Sequence, residues 1–174
     1  KGGCVHHDNG LLGAASLDRA EARKIELLKA NGYNAVRCAH NPPAEAFLRA
    51  CDEQGMLVID EAFDMWRYGH YKDDYAQYFD RYWKDDLSKM IERDKNHPAV
   101  LIWSCGNESY AGEDIYQMSE YFRKKDPSRL VHYEGVFWNR EYEKTSDMES
   151  RMYAKAVDIK EYLDNDPKKP YISC

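Results

Sequence analysis

The residue of this chain best suited to chemistry is Glu108, which ends the segment Leu101-Ile102-Trp103-Ser104-Cys105-Gly106-Asn107-Glu108. This segment is apolar or aromatic apart from one serine until Gly-Asn-Glu closes it. A short apolar run between turn signals is typical of a strand buried on both faces. Enzymes with parallel sheets place catalytic groups at the carboxyl edge of the strands. We therefore expect a strand that ends at Glu108 and presents a catalytic carboxylate, with a rim ion pair or a helix cap as the structural alternative.

Polar residues also end nearly every other predicted strand. They are His6, Arg37, His40, Glu61, Asn107, Glu134 and Tyr153. Several carboxylates, two histidines and an arginine, without a recognisable serine or cysteine triad, favour acid–base catalysis. Glycoside hydrolysis is such a reaction, because one carboxylate protonates the leaving oxygen and a second attacks the sugar or activates water. The amide of Asn107 suits a substrate hydroxyl because it both donates and accepts hydrogen bonds.

Some of these candidates have a structural interpretation as well. Arg37 is compatible with a buried ion pair to Glu61 or to Glu134. Glu134 is the main rival acid of the sequence, and we interpret it as a residue behind the site. On composition alone, Asn107 is equally suited to a turn.

These residues require a framework of alternating strands and helices. Strands are predicted at residues 1–7, 33–38, 56–59, 101–108, 130–134, 151–153 and 170–174. The α/β alternation predicts a parallel sheet, either a closed (β/α)₈ barrel or an open doubly wound sheet. The sequence contains neither GxGxxG nor GxxxxGK[ST], which weakens the nucleotide-binding sheet. Convergent polar strand ends favour the TIM barrel, which is incomplete here because the eighth strand is missing.

Several local features complete the predicted elements. We expect a capping box at Asp18–Glu21 and a second helix that starts at Pro42-Pro43 and ends at Gly55. A long helix is predicted at residues 73–95, and a long polar loop at residues 137–149. The buried stripe of the long helix is predicted to consist of Tyr78, Tyr82, Trp83, Leu87, Met90 and Ile91.

Composition restricts the classes of function. The chain has 174 residues, 43% hydrophobic and 32% charged, as is typical of one globular domain. Its net charge of -6 argues against a nucleic-acid or anionic membrane partner. Five cysteines without a CxxC pattern fit reduced thiols in a cytoplasmic protein better than a disulfide framework. Because Lys1 opens almost directly into a strand, we expect these residues to belong to a longer chain.

Four motifs carry a resemblance to a known family. They are Arg37-Cys38-Ala39-His40-Asn41-Pro42-Pro43, Val58-Ile59-Asp60-Glu61-Ala62, Arg93-Asp94-Lys95-Asn96-His97-Pro98 and Cys105-Gly106-Asn107-Glu108. In order and spacing they resemble the catalytic TIM barrel of glycoside hydrolase family 2. Met152-Tyr153-Ala154 resembles its beta-galactosidase branch. The resemblance extends over residues 1–174, which we treat as one catalytic domain.

The resemblance implies a role for each matching residue. Glu108 matches the general acid/base of the family, and Asn107 matches its neighbour, which binds the sugar 2-hydroxyl. Arg37 matches the arginine that keeps the nucleophile carboxylate ionised, as an adjacent cation does. His6 and His40 match histidines that contact sugar hydroxyls.

The nucleophile of the family is a glutamate at the end of strand seven. The last predicted strand here is Pro170-Tyr171-Ile172-Ser173-Cys174, and the family places the glutamate directly after the position of Cys174. Tyr153 matches the tyrosine that hydrogen-bonds this glutamate. We therefore expect the nucleophile just after Cys174, and we expect residues 1–174 alone to be inactive.

Some members of the family bind magnesium in the loop after strand three, through an acidic residue and a histidine. Here Asp64 matches the acidic residue, but Trp66 stands in place of the histidine. This resembles the branch whose tryptophan packs against the substrate, although Trp66 is equally compatible with core packing. His6 and His7 are neighbours on a strand and point to opposite faces, which argues against a two-histidine metal site. We therefore expect Asp64 and Trp66 at the substrate and no metal or cofactor, with magnesium bound by Asp64 as the less favoured alternative.

The resemblance implies a retaining exo-beta-glycosidase, with beta-galactosidase as the favoured activity. Beta-glucuronidase or another activity of the family is one alternative, and a non-catalytic carbohydrate-binding fragment is the other. The implied partner is a carbohydrate, with neither nucleic acid nor membrane. Beta-sandwich domains that flank the barrel are implied as well, and homo-oligomerisation stays open.

Overall fold

A computed structural model describes residues 1–108, 111–165 and 167–174. The strands are β1 Gly2–His6, β2 Ala35–Ala39, β3 Leu57–Glu61, β4 Val100–Ser104, β5 Leu130–His132, β6 Glu149–Arg151 and β7 Tyr171–Ser173. The α-helices are α1 Asp18–Ala30, α2 Glu45–Gln54, α3 Ala76–Asp94, α4 Glu113–Lys125 and α5 Ala156–Asp164. Two 3₁₀ helices, Glu134–Phe137 and Arg140–Thr145, lie between β5 and β6.

All strand pairs are parallel, as the α/β alternation predicts. β1 to β5 form one sheet in sequence order, and β6 pairs with β7. Asp147 connects the two sheets, because its backbone N–H donates to the Val131 carbonyl at 2.8 Å. In return its carboxylate accepts from the Val131 N–H at 2.7 Å. In the part of the chain that the structure describes, β1 and β7 do not pair, so the predicted incomplete barrel is confirmed.

The apolar core lies between the sheet and the helices. It includes Ile25, Val36, Leu48, Val58, Leu87, Trp103, Met118, Phe122 and Val131. Trp103 of β4 stacks on Phe122 of α4, with ring centroids 5.7 Å apart. Alternation along each strand therefore turns one face toward the helices. The other face carries polar residues such as Arg37 and Glu61, which are nevertheless almost fully buried.

Several predicted boundaries are wrong. β4 ends at Ser104, so Glu108 lies in the loop that follows the strand. Likewise, β5 ends at His132, and Glu134 begins a 3₁₀ helix. β6 spans Glu149–Arg151 and not residues 151–153, which places Tyr153 after the strand.

Local predictions at three other places also need correction. The capping box at Asp18–Glu21 does not form, because Leu17 caps α1 without a side-chain bond, and the Glu21 carboxylate pairs with Lys24 at 3.0 Å. Phe79, rather than Tyr78 and Tyr82, belongs to the buried face of α3. Residues 137–149 form a largely helical and partly buried segment, in place of the predicted polar loop.

Among the described residues, none of the helices combines the length and the apolar character that crossing a bilayer requires.

Candidate active site

Several predicted site residues lie together at the carboxyl ends of the strands. His6, His40 and Asp64 line one open cavity of about 370 Å³. Asn107 joins them, because its Nδ2 donates to Asp64 Oδ1 at 2.9 Å. Parallel strands bring their carboxyl ends to one edge, which explains why residues so distant in sequence share this cavity.

Glu61 is the organising carboxylate of the site and was not among the predicted site residues. It is completely buried and accepts three hydrogen bonds. The donors are Arg37 Nε at 2.6 Å, His40 Nδ1 at 2.6 Å and Ser104 Oγ at 2.7 Å. Burial raises the pKa of Glu61, but the bonds from His40 and Arg37 outweigh it, so the pKa lies below its usual value. Its position at the end of a predicted strand, within the Asp-Glu-Ala motif, was the available signal.

Arg37 connects this carboxylate to the loop that carries the catalytic candidate. Its Nη2 donates to the Gly106 carbonyl at 3.2 Å and reaches Asn107 Oδ1 at 3.5 Å. Burial lowers the pKa of Arg37, but the charges of Glu61 and Glu134 raise this pKa by more than burial lowers it. The guanidinium therefore stays charged. Both carboxylates predicted as ion-pair partners of Arg37 lie beside its guanidinium, Glu61 at 2.6 Å and Glu134 at 3.6 Å.

Glu134 is the second buried carboxyl group beside Arg37. It is completely buried, and neither side-chain oxygen has a hydrogen-bond partner among the described residues. Burial raises the pKa of Glu134 to about 8, more than the charge of Arg37 lowers it. Glu134 therefore lies behind the site as an acid that holds its proton near neutral pH.

Gly106 shapes the turn that positions Asn107 and Glu108. Its φ of 142° lies in a region that favours glycine. A Cβ there would lie 2.4 Å from the Phe63 carbonyl oxygen and 2.8 Å from Trp66 Cζ2. Close packing against the loop after β3 therefore requires glycine directly before Asn107 and Glu108.

Glu108 differs from the buried carboxyl groups in being exposed. Its Oε1 accepts a hydrogen bond from the Tyr153 hydroxyl at 3.2 Å. Tyr153 is itself 82% exposed, and this bond to Glu108 is the largest cause of the raised pKa of Tyr153. Among the described residues, Tyr153 is the donor to Glu108, whose exposed carboxylate is accessible to a ligand.

Trp66 is buried, with 4% of its surface exposed, and it packs edge-on against Tyr133 at 5.6 Å between centroids. Trp66 therefore packs in the core, which is one of the two roles predicted for it. A contact between Trp66 and a sugar stays a prediction.

The loop after β3 does not supply a magnesium site. Asp64 offers one carboxylate, while the indole of Trp66 has no lone pair for a metal. Magnesium prefers six oxygen ligands in octahedral geometry. Over the described ranges, no group of three or more His, Cys, Asp and Glu side chains is arranged to hold a metal ion. The residues present therefore do not fit this ion.

Comparison with known proteins gives consistent matches. The family model described as "Glycosyl hydrolases family 2, TIM barrel domain" matches residues 1–174. A beta-galactosidase of Clostridium acetobutylicum is 54% identical over 163 residues, which cover 86% of this chain and 18% of that protein. A beta-galactosidase of Halalkalibacterium halodurans is 48% identical over 187 residues, covering 100% of this chain and 18% of that protein.

A solved structure of a glycosyl hydrolase family 2 member from Bacteroides cellulosilyticus gives a TM-score of 0.86 at 46% identity. The match covers 98% of this chain and 23% of that one. The chain thus spans 18% of the length of the two curated relatives named above. The fold, the motifs and the family model agree, and the chain belongs to the TIM barrel domain of glycosyl hydrolase family 2.

Proposed function

We propose that the full-length protein that contains these residues is a retaining exo-beta-glycosidase that hydrolyses terminal beta-D-galactosides. The observation that carries the proposal is the position of Glu108. It is an exposed carboxylate beside Asn107 at the rim of the barrel, whereas Glu61 and Glu134 are completely buried. The names of the curated relatives favour galactosides among the possible glycosides.

The proposed mechanism is double displacement. Glu108 protonates the glycosidic oxygen while a nucleophile carboxylate attacks the anomeric carbon and forms a glycosyl–enzyme. Glu108 then removes a proton from water, which releases the sugar with retained configuration. We expect the nucleophile to be a glutamate just after Cys174, about 5–5.5 Å from Glu108 as retention requires.

The surrounding residues have separate roles in this proposal. Asn107 binds the 2-hydroxyl, and Arg37 supplies the positive charge that keeps the nucleophile ionised. Because Nδ1 of His40 is bound to Glu61, Nε2 is the ring nitrogen left for a sugar hydroxyl. His6 lies edge-on to His40 at 5.5 Å and lines the same cavity, which suits it to a neighbouring hydroxyl.

The setting of the domain is part of the proposal. We propose that further domains flank the barrel, because the curated relatives are several times longer than this chain. Two carboxylates and water complete the proposed reaction, so we assign it no metal or cofactor. We also propose a cytoplasmic protein, and no turnover by residues 1–174 alone.

The test is hydrolysis of a panel of nitrophenyl glycosides by the full-length protein. We expect the beta-galactoside to give the highest kcat/KM, and NMR to detect beta-galactose as the first product anomer. A higher kcat/KM for the beta-glucuronide would instead select the alternative activity. Hydrolysis of none of them, with sugar binding retained, would overturn the proposal in favour of a carbohydrate-binding protein.

A further inference from the structure

A continuous hydrogen-bond chain crosses the interior face of the barrel below the active site. Its members are Arg37, Glu61, Ser104, His132, Ser150 and Cys174, and we call it the interior chain. Strands β2 to β6 each contribute one member, and Cys174 directly follows β7. The proposed catalytic residues do not include Ser104, His132, Ser150 or Cys174.

The links of the interior chain are short. From Glu61, Ser104 Oγ lies 2.7 Å away, and His132 Nδ1 lies 3.0 Å from Ser104. His132 Nε2 is 2.8 Å from Ser150 Oγ, which is 3.0 Å from Cys174 Sγ. Glu61, Ser104, His132 and Ser150 are all completely buried. Water therefore does not compete for the bonds among these four residues.

The proton positions along the interior chain follow from its chemistry. Ser104 has one hydroxyl proton and donates it to Glu61, so Ser104 must accept from His132 Nδ1–H. Burial, together with the charge of Arg37, lowers the pKa of His132 to about 3, so the ring carries one proton. Nε2 is then an acceptor for the Ser150 hydroxyl.

Cys174 ends the interior chain as a donor. Burial raises the pKa of Cys174 to about 11, so its sulfur keeps the proton. With the Ser150 proton directed to His132, the Cys174 thiol donates to Ser150 Oγ at 3.0 Å, and His132 Nε2 is a second, more distant acceptor at 3.4 Å. Every donor in the interior chain therefore points toward Glu61, whose charge Arg37 balances at 2.6 Å.

We propose that the interior chain fixes the end of β7 relative to Arg37 and Glu61, with His132 as its central positioning residue. This inference rests on the proposed function, because its purpose is to place the carboxylate expected after Cys174 at the reacting carbon. Because its hydrogen bonds all run in one direction, the interior chain holds its two ends at a fixed relative position. Misplacement of a reacting group by about 1 Å costs on the order of 100-fold in rate.

Matched variants separate positioning from stability. Ser150→Ala removes the bonds to His132 and Cys174, and Cys174→Ala removes only the last donor. Cys174→Ser restores a hydroxyl donor at the same position. The control is Ser119→Ala, because Ser119 is an equally buried serine whose hydroxyl donates to the Thr145 carbonyl at 2.8 Å, outside the site.

The kinetic readout is glycosyl–enzyme formation from dinitrophenyl beta-galactoside in single turnovers of the full-length protein. This leaving group needs no protonation, so the rate reports the nucleophile and not Glu108. We expect Ser150→Ala and Cys174→Ala to lower the rate by about 10- to 100-fold with KM nearly unchanged. Cys174→Ser should recover most of the loss, and Ser119→Ala should match the wild type.

Amide hydrogen exchange at residues 171–174 gives a readout that does not depend on activity. Ser150→Ala should speed exchange there, and Ser119→Ala should not. Unchanged exchange at residues 171–174 in Ser150→Ala, or equal rate losses in Ser150→Ala and Ser119→Ala, would overturn the inference. Absence of turnover by the wild type would contradict the proposed function instead, and the exchange measurement would still test the interior chain.

Discussion

Two glutamates at the same rim of the barrel have opposite environments. Glu61 is completely buried and accepts hydrogen bonds from Arg37, His40 and Ser104. Glu108 is exposed, and among the described residues it accepts a bond from Tyr153 at 3.2 Å. A buried carboxylate with three donors, one of them the cation Arg37, is held in its charged form, whereas an exposed one can exchange its proton with a substrate. We propose that this difference separates the residue that organises the site, Glu61, from the residue that reacts, Glu108.

A second contrast lies within the buried pair. Arg37 and two further donors stabilise the charge on Glu61, while Glu134 lies 3.6 Å from Arg37 without a hydrogen bond to either oxygen. One guanidinium cannot fully compensate two buried carboxylates, because burial penalises each charge. The pKa of Glu61 is therefore lowered and that of Glu134 raised. Neighbouring carboxyl groups thus hold opposite protonation states.

The largest expected effect on stability comes from Glu61→Gln. This change leaves the buried Arg37 without its closest counter-charge, and breaking a buried ion pair from one side costs about 3–5 kcal/mol. The measurement is hydrogen exchange of the barrel peptides in the full-length protein. Glu108→Gln is the control and should change stability by less than about 0.5 kcal/mol. Equal losses in the two variants would remove the distinction between the two glutamates.

An effect of comparable size, which develops only as the pH rises, is expected from Glu134→Gln. Since the folded pKa of about 8 exceeds the ordinary value of 4.5, the folded state holds a proton that the unfolded state releases. The stability contributed by Glu134 is complete below pH 4.5 and is lost as the pH rises to about 8, by on the order of 3–5 kcal/mol. Thermal melting should therefore show the wild type losing stability relative to Glu134→Gln between pH 5 and 8. A difference that is independent of pH would contradict the raised pKa.

The smallest expected effect on stability comes from Tyr153→Phe. Both Tyr153 and Glu108 are exposed, and water competes for an exposed hydrogen bond, which therefore contributes little to stability. We expect chemical denaturation of the full-length protein to give the same midpoint for Tyr153→Phe and the wild type. A loss as large as that of Glu61→Gln would mean that the Glu108 region is part of the structural cluster.

The sequence predicted the elements and their order because the α/β alternation and the glycine ends are local signals. It also predicted that His6, His40 and Asn107 converge, because parallel strands bring their ends to one edge, while the position of Asp64 was implied by the family resemblance. The left-handed cap at Gly55 is an example of a local signal that holds, with φ at 67°. The ends of β4 and β5 were placed too late, because apolar residues continue beyond the last ladder bond.

The interior chain could not be predicted in the same way. Ser104 and Ser150 are small polar residues in strands buried on both faces, and such strands lack the alternation that shows which face a residue occupies. Partners from different strands become evident only when the register is known. The error in α3 has another cause. Tyr78 and Phe79 are adjacent aromatic residues, so the sequence did not show which of them faces the core.

The central claim is that Glu108 is the proton donor, and Glu108→Gln in the full-length protein tests it most directly. The measurement is kcat/KM for an alkyl beta-galactoside, whose leaving group needs a proton, and for dinitrophenyl beta-galactoside, whose leaving group does not. We predict a loss of about 10²- to 10⁴-fold on the first substrate and a much smaller loss on the second. Equal losses on the two substrates would contradict the acid role of Glu108.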